Sequence, residues 1–175
     1  MIINSKLSRG LAVFMACMIC FTGSVASAVE RPSPEAFSEE IGLFWYEEKY
    51  EELEARVDEV YGAHPDFIPA IIAASFVDGV FLGRIYDSRE KLILVKEHID
   101  EDPEEFDHIF VLGVNALMEM ADREIETQEA AGRTPEELEE NASPAAVREA
   151  FGPALIPFVS VLAFAPDTEI PDAPD

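Results

Sequence analysis

The chain has 175 residues and carries 36 Asp and Glu against 12 Lys and Arg, a net charge of −24 at neutral pH. With 49% hydrophobic residues it has enough apolar side chain to build a core, which sets it apart from disordered chains of low hydrophobicity. So large an excess of acid is repelled by polyanions, and this argues against nucleic acid or an anionic membrane surface as the main partner.

The chain opens with Lys6 and Arg9, an apolar run of 11 residues from Leu11 to Phe21, and small residues at Ala26-Ser27-Ala28. This is the layout of a secretory signal peptide, residues 1–28, with cleavage expected after Ala28. The apolar run alone rises about 17 Å as a helix, short of the roughly 30 Å hydrocarbon core. A membrane anchor is the alternative, and it needs the span to extend through Thr22–Val29. Cleavage leaves 147 residues, removes two cations and no acid, and so takes the net charge from −24 to −26. Both cysteines, Cys17 and Cys20, leave with the signal, so the mature chain is expected to have no disulfide, no thiol nucleophile and no thiolate metal site. A chain of that length buries enough surface to fold as one domain without staples. The expected compartment is a Gram-negative periplasm, with the cell exterior as the alternative.

From Val29 onward the sequence reads as helix after helix. Ser33-Pro34 opens the first, a capping serine followed by proline at the first helical position. Phe37, Ile41, Phe44, Tyr46, Tyr50, Leu53, Val57 and Val60 follow at helical spacing with one slip near Trp45, so a single helix is expected up to Gly62 and Pro65. Ten acids between Glu35 and Glu59 make its outer face acidic.

Asp66 is positioned to cap a second helix, Phe67 to Tyr86, in which Asp78 is the only charge as far as Gly83. Apolar residues surround that helix, which predicts the central core helix; one carboxylate in its middle argues against a membrane span. Arg89 to Ile99 follows with Leu92, Val95 and Ile99 at helical spacing, although Leu92–Val95 alone also fits a short strand. Asp102-Pro103-Glu104-Glu105 has the grammar of a helix start and predicts a helix to about Ala130, closed by Gly132 and carrying Phe106, Ile109, Phe110, Gly113, Leu117, Met120 and Ile125 inward. Thr134-Pro135-Glu136-Glu137 and Ser143-Pro144 repeat that grammar. Ala154–Ala165 is an apolar last element interrupted by Pro157.

The fold class is therefore all-α: a compact single-domain bundle of five to seven helices over residues 29–165, with an acidic, proline-rich tail at 166–175 expected to be disordered. A short helical-repeat array is the alternative. The starts at His64-Pro65, Asp102-Pro103 and Thr134-Pro135 are 38 and 32 residues apart, near the length of a tetratricopeptide unit, but that repeat's Trp, Leu-Gly and Ala positions are absent.

Two groups of residues are candidate sites. Ser75, Gly79 and Gly83, spaced by four, form a smooth stripe flanked by Asp78 and Tyr86. The stripe fits tight helix packing with Asp78 bonded to a neighbour, or a small binding groove with one carboxylate in its wall. Asp100, Asp102, Glu104 and Asp107 belong to an acidic loop of six acids in eight residues, a donor set suited to a hard cation such as calcium. The EF-hand pattern fails there, with Glu105 at the sixth position and Val111 at the twelfth, and the loop equally complements a helix N-terminus. His64, His98 and His108 lie in separate segments, and no nucleophile elbow or phosphate loop is present. No cofactor is implied, and no residue is assigned a catalytic role.

Phe76-Val77-Asp78-Gly79-Val80, then Leu92 to Val95, then Asp102-Pro103-Glu104-Glu105 ahead of a helix with Ala116-Leu117, follow one another in an order that resembles the periplasmic Rap/Tai-type immunity proteins. The resemblance covers residues 76–121 and lacks that family's cysteines. It implies a small helical periplasmic protein that neutralises a peptidoglycan amidase delivered by type VI secretion. The charge leads to a compatible expectation: a non-enzymatic protein-binding protein, such as an inhibitor, whose acidic faces engage a basic partner. The alternative is a secreted hydrolase or calcium-binding protein using Asp78 or the acidic loop.

Overall fold

In the computed structural model, residues 29–141 and 161–170 are described. The signal segment 1–28, the Ser143-Pro144 start and most of the last apolar element lie outside them.

Helix α1, Pro34–Tyr46, starts as its sequence dictates: the Ser33 hydroxyl accepts the Ala36 N–H at 3.3 Å and Pro34 takes the first position. The single helix expected up to Gly62 is in fact two. Residues 47–49 break it, and Glu48 adopts a left-handed φ of 62° before α2, Tyr50–Ala63, begins. The phase slip at Trp45 is the physical reason. The apolar stripes on either side need different rotations, and the turn supplies the difference. It brings Trp45 and Tyr50 together, ring centroids 5.5 Å apart.

Helix α3, Ile68–Phe76, is the core helix that its uniform apolarity predicts. Every residue from Ile68 to Ser75 is buried, and α1, α2 and the following helix all pack on it. Asp66 does not cap it; the Asp66 carbonyl accepts the Ile170 N–H at 2.7 Å instead. The helix also stops short of Tyr86. A π-helical turn, Val77–Phe81, widens its last turn, and Gly83 reverses the chain at φ 70°. Tyr86 thus falls in the first turn of α4, Ile85–Glu101, where Leu92, Val95 and Ile99 are buried at helical spacing.

Asp102-Pro103 begins only a 3₁₀ turn, Pro103–Glu105. Phe106 is extended and plugs the core, and Asp107 caps α5, His108–Ala130, accepting the Ile109 N–H at 2.7 Å. Gly132 (φ 68°) closes α5 as expected. Helix α6, Pro135–Asn141, opens with a reciprocal capping box: the Thr134 N–H donates to Glu137 at 3.0 Å, and the Glu137 N–H to the Thr134 hydroxyl at 3.3 Å.

The tail, expected to be disordered, is docked through Ile170; residues 171–175 lie outside the described part. Glu169 forms an isolated antiparallel bridge with Phe67, and Ile170 is buried. Arg31 pairs with Asp167 at 3.0 Å and with Glu169 while its guanidinium lies 5.2 Å from the Phe67 ring centroid. One cation and one apolar side chain offset the charge and proline content on which the expectation of disorder rested.

The architecture is all-α: the helices α1 to α6, with residues 161–163 also helical, are arranged as a bundle around α3 rather than as the stacked pairs of a repeat array.

Candidate functional site

Asp78 sits in the π turn, 7% exposed. Two cations reach it from beyond the Gly83 reversal. The Lys91 ammonium donates to Oδ2 at 2.6 Å and Arg84 Nη1 approaches Oδ1 at 3.4 Å. The Arg84 N–H also donates to the Asp78 carbonyl at 2.8 Å, which holds the reversal shut. Lys91 lies 5.6 Å from the Tyr61 ring centroid, so one ammonium joins α2, the π turn and α4. The carboxylate is partnered, as a buried charge must be.

The small-residue stripe is occupied. A Cβ on Gly79 would stand 2.9 Å from the Ser88 hydroxyl and 3.2 Å from Ser88 Cβ, so α4 crosses at this point against bare backbone. Gly83 is not on the same helix face; its left-handed turn abuts α6, where an added Cβ would lie 2.5 Å from the Leu138 carbonyl oxygen. Ser75 is buried in α3 and Tyr86 is half-buried on α4. The five residues therefore divide among α3, the π turn, the reversal and α4.

The acidic loop is also divided. Asp100 pairs with Lys96 one turn back on α4, Asp102 ends that helix, Glu104 sits in the 3₁₀ turn and Asp107 caps α5. Among the described residues no group of three or more His, Cys, Asp or Glu is arranged to hold a metal ion.

Two features escape the sequence reading. The first is a cluster of four rings: Trp45 stacks on Phe81 with centroids 5.7 Å apart, and Tyr50 and Phe76 meet both edge-on. The slip at Trp45 was its signal. The second lies on α5. Ile109 and Met120, expected inward, are 50% and 41% exposed, and Leu112 is 55% exposed. The core side of α5 is instead made by Phe110, Val114 and Ala121. Apolar residues cover more than one stripe of this helix, so its period alone does not choose which stripe turns inward.

The charges are allotted unevenly. The described residues hold 33 carboxylates and nine Lys or Arg, and seven of those nine cations make ion pairs within the chain. For Arg56, burial opposes the charge, but the hydrogen bonds it donates to the Glu40 and Glu59 carboxylates hold the guanidinium above its ordinary range. The Glu47 carboxylate likewise raises Lys49. Among the described residues no helix is long and apolar enough to cross a membrane.

No family model, curated protein or solved structure matches the chain.

Proposed function

We propose that the chain is a non-enzymatic binding protein of the periplasm that engages a basic protein partner, in the manner of an inhibitor or immunity protein. The observation that carries this reading is the allotment of charge. Seven of the nine described cations are engaged with carboxylates of the chain itself, so the acid excess faces outward. Such a field speeds encounter with a cationic protein and repels nucleic acid and anionic lipid. The partnering of Asp78 by Lys91 and Arg84 supports a structural carboxylate over a catalytic one. The segment 1–28 supports export, and the resemblance of residues 76–121 to Rap/Tai-type proteins supports a helical inhibitor.

The test is capture from a periplasmic extract with the mature chain as bait, at low and high salt. A basic protein retained at low salt and released at high salt is the expected result. Retention of acidic or neutral proteins only would sink the reading. N-terminal sequencing of the exported protein should begin at Val29; Met1 retained in washed membranes would overturn the proposed compartment.

A further inference from the structure

The outward face of α5 is apolar where an acidic, solvent-facing helix should be polar. Ile109, Leu112, Ala116 and Met120 are all exposed, and at 100° per residue they fall within an arc of about 80°. The stripe runs for about 16 Å. It lies away from the side of α5 that holds Phe110 and Val114 in the core. Ala116, exposed and the smallest of the four, stands between Leu112 and Met120.

We infer that this stripe is the seat of the basic partner, and that the partner presents an amphipathic segment with apolar anchors at helical spacing flanked by Lys or Arg. The inference rests on the proposed function and adds the surface to it. Charge selects the occupant. Glu119 and Glu126 line one edge of the stripe, Glu104, Glu105 and Asp107 stand before its first residue, and Arg123 is the one cation on this face of α5. A second copy would bring the same acids and a net charge of −24, or −26 once residues 1–28 are removed, against itself, and an anionic bilayer would be repelled in the same way. A cationic amphipathic segment meets apolar with apolar and acid with base, and apolar anchors supply the affinity that exposed charge does not.

The experiment uses a short fluorescein-labelled peptide of leucine and lysine, patterned as an amphipathic helix, titrated with the mature chain and read by fluorescence anisotropy. Leu112→Glu adds negative charge yet removes an anchor, so it separates the two contributions. The expected result is binding to the wild type that weakens about tenfold or more in Leu112→Glu and in Ile109→Glu. Tyr46→Glu, at an exposed apolar residue at the end of α1, should bind as the wild type does. Equal binding by all variants would overturn the seat while leaving the basic-partner reading intact. Absence of binding even to the wild type at low salt would count against both. Sedimentation of the same proteins adds a further check. A concentration-dependent dimer lost in Leu112→Glu would overturn the proposal in favour of a second copy. A melting temperature lowered by Leu112→Glu would show the face to be covered within the chain, and would overturn it too.

Discussion

The Lys91 ammonium lies 2.6 Å from Asp78 Oδ2 and so fastens α4 to the turn that ends α3. Thirteen residues separate the two in sequence, and the Gly83 reversal between them is what lets the side chains meet. The carboxylate is nearly buried, and the lysine ammonium that meets it lies over the Tyr61 ring. A lone acid in an apolar helix thus marks a helix junction.

Removing either end of that pair has unequal consequences. Lys91→Met leaves Asp78 buried with Arg84 as its only cation, a loss of about 2–4 kcal/mol, because an uncompensated buried charge costs more than the pair contributes. Asp78→Asn keeps the shape and an acceptor for Lys91 and should cost about 1 kcal/mol. Thermal melts of both variants, with binding of the leucine–lysine peptide as the second readout, check this. Binding lost in Asp78→Asn at unchanged stability would move the carboxylate into the functional site.

The glycines make opposite predictions. Gly79→Leu drives a side chain into Ser88, and overpacking of this kind costs about 1–3 kcal/mol. Gly62, inside α2, has nothing within 4 Å of where its Cβ would be and needs no left-handed backbone. Gly62→Ala should therefore stabilise by about 0.5–1 kcal/mol through helix propensity alone. An unchanged melting temperature in Gly79→Leu would mean that the crossing is not closely packed.

Features set by neighbours in the chain were legible in the sequence, and features set by distant contacts were not. The Ser33 cap, the Thr134 capping box and the Gly132 stop each depend on three or four adjacent residues, and each lies where its motif stands. The uniform apolarity of Ile68–Ser75 named the core helix directly. The small-residue stripe announced a close crossing, but no local pattern could name Ser88 as the residue that crosses. The breaks at 47–49 and 82–84 answer tertiary demands, the four-ring cluster and the Asp78 ion pairs. Composition counts the acids and prolines of residues 166–170 without seeing Arg31 and Phe67, which come from elsewhere in the chain and dock them.

The pH dependence of α6 has a fixed sign. The Glu136 carboxylate is held below its ordinary value of 4.5, first by its own backbone N–H and then by the Thr134 hydroxyl. A depressed folded value means stability present above about pH 4.5 and lost as the pH falls through the lower, folded value. Carboxyl-detected NMR titration should place the Glu136 midpoint below 4.5, with amide protection of residues 138–141 weakened over the same range. Thr134→Ala should bring the midpoint back towards 4.5 and weaken α6 at neutral pH. A midpoint at or above 4.5 in the wild type would mean that neither its own N–H nor the Thr134 hydroxyl holds the Glu136 carboxylate.

Glu48 offers the simplest test of the α1–α2 corner. It is the only non-glycine residue with positive φ among the described residues, at 62°, and it sits where the two apolar stripes change phase. Left-handed backbone costs an L residue with a Cβ roughly 1 kcal/mol relative to glycine, so Glu48→Gly should raise stability by up to about 1 kcal/mol. The gain is limited by the greater freedom that glycine gives the unfolded chain and by whatever contact the Glu48 side chain contributes. Glu48→Val should act in the opposite sense, because a β-branched side chain tolerates this region least. If the corner were instead a continuous helix, valine would cost only its modest helix propensity and glycine would be the destabilising change, by about 1 kcal/mol. The order of the three melting temperatures therefore decides between a true left-handed corner and a continuous helix. Trp45 fluorescence adds a local readout, since the corner brings its ring centroid to 5.5 Å from that of Tyr50, the first residue of α2.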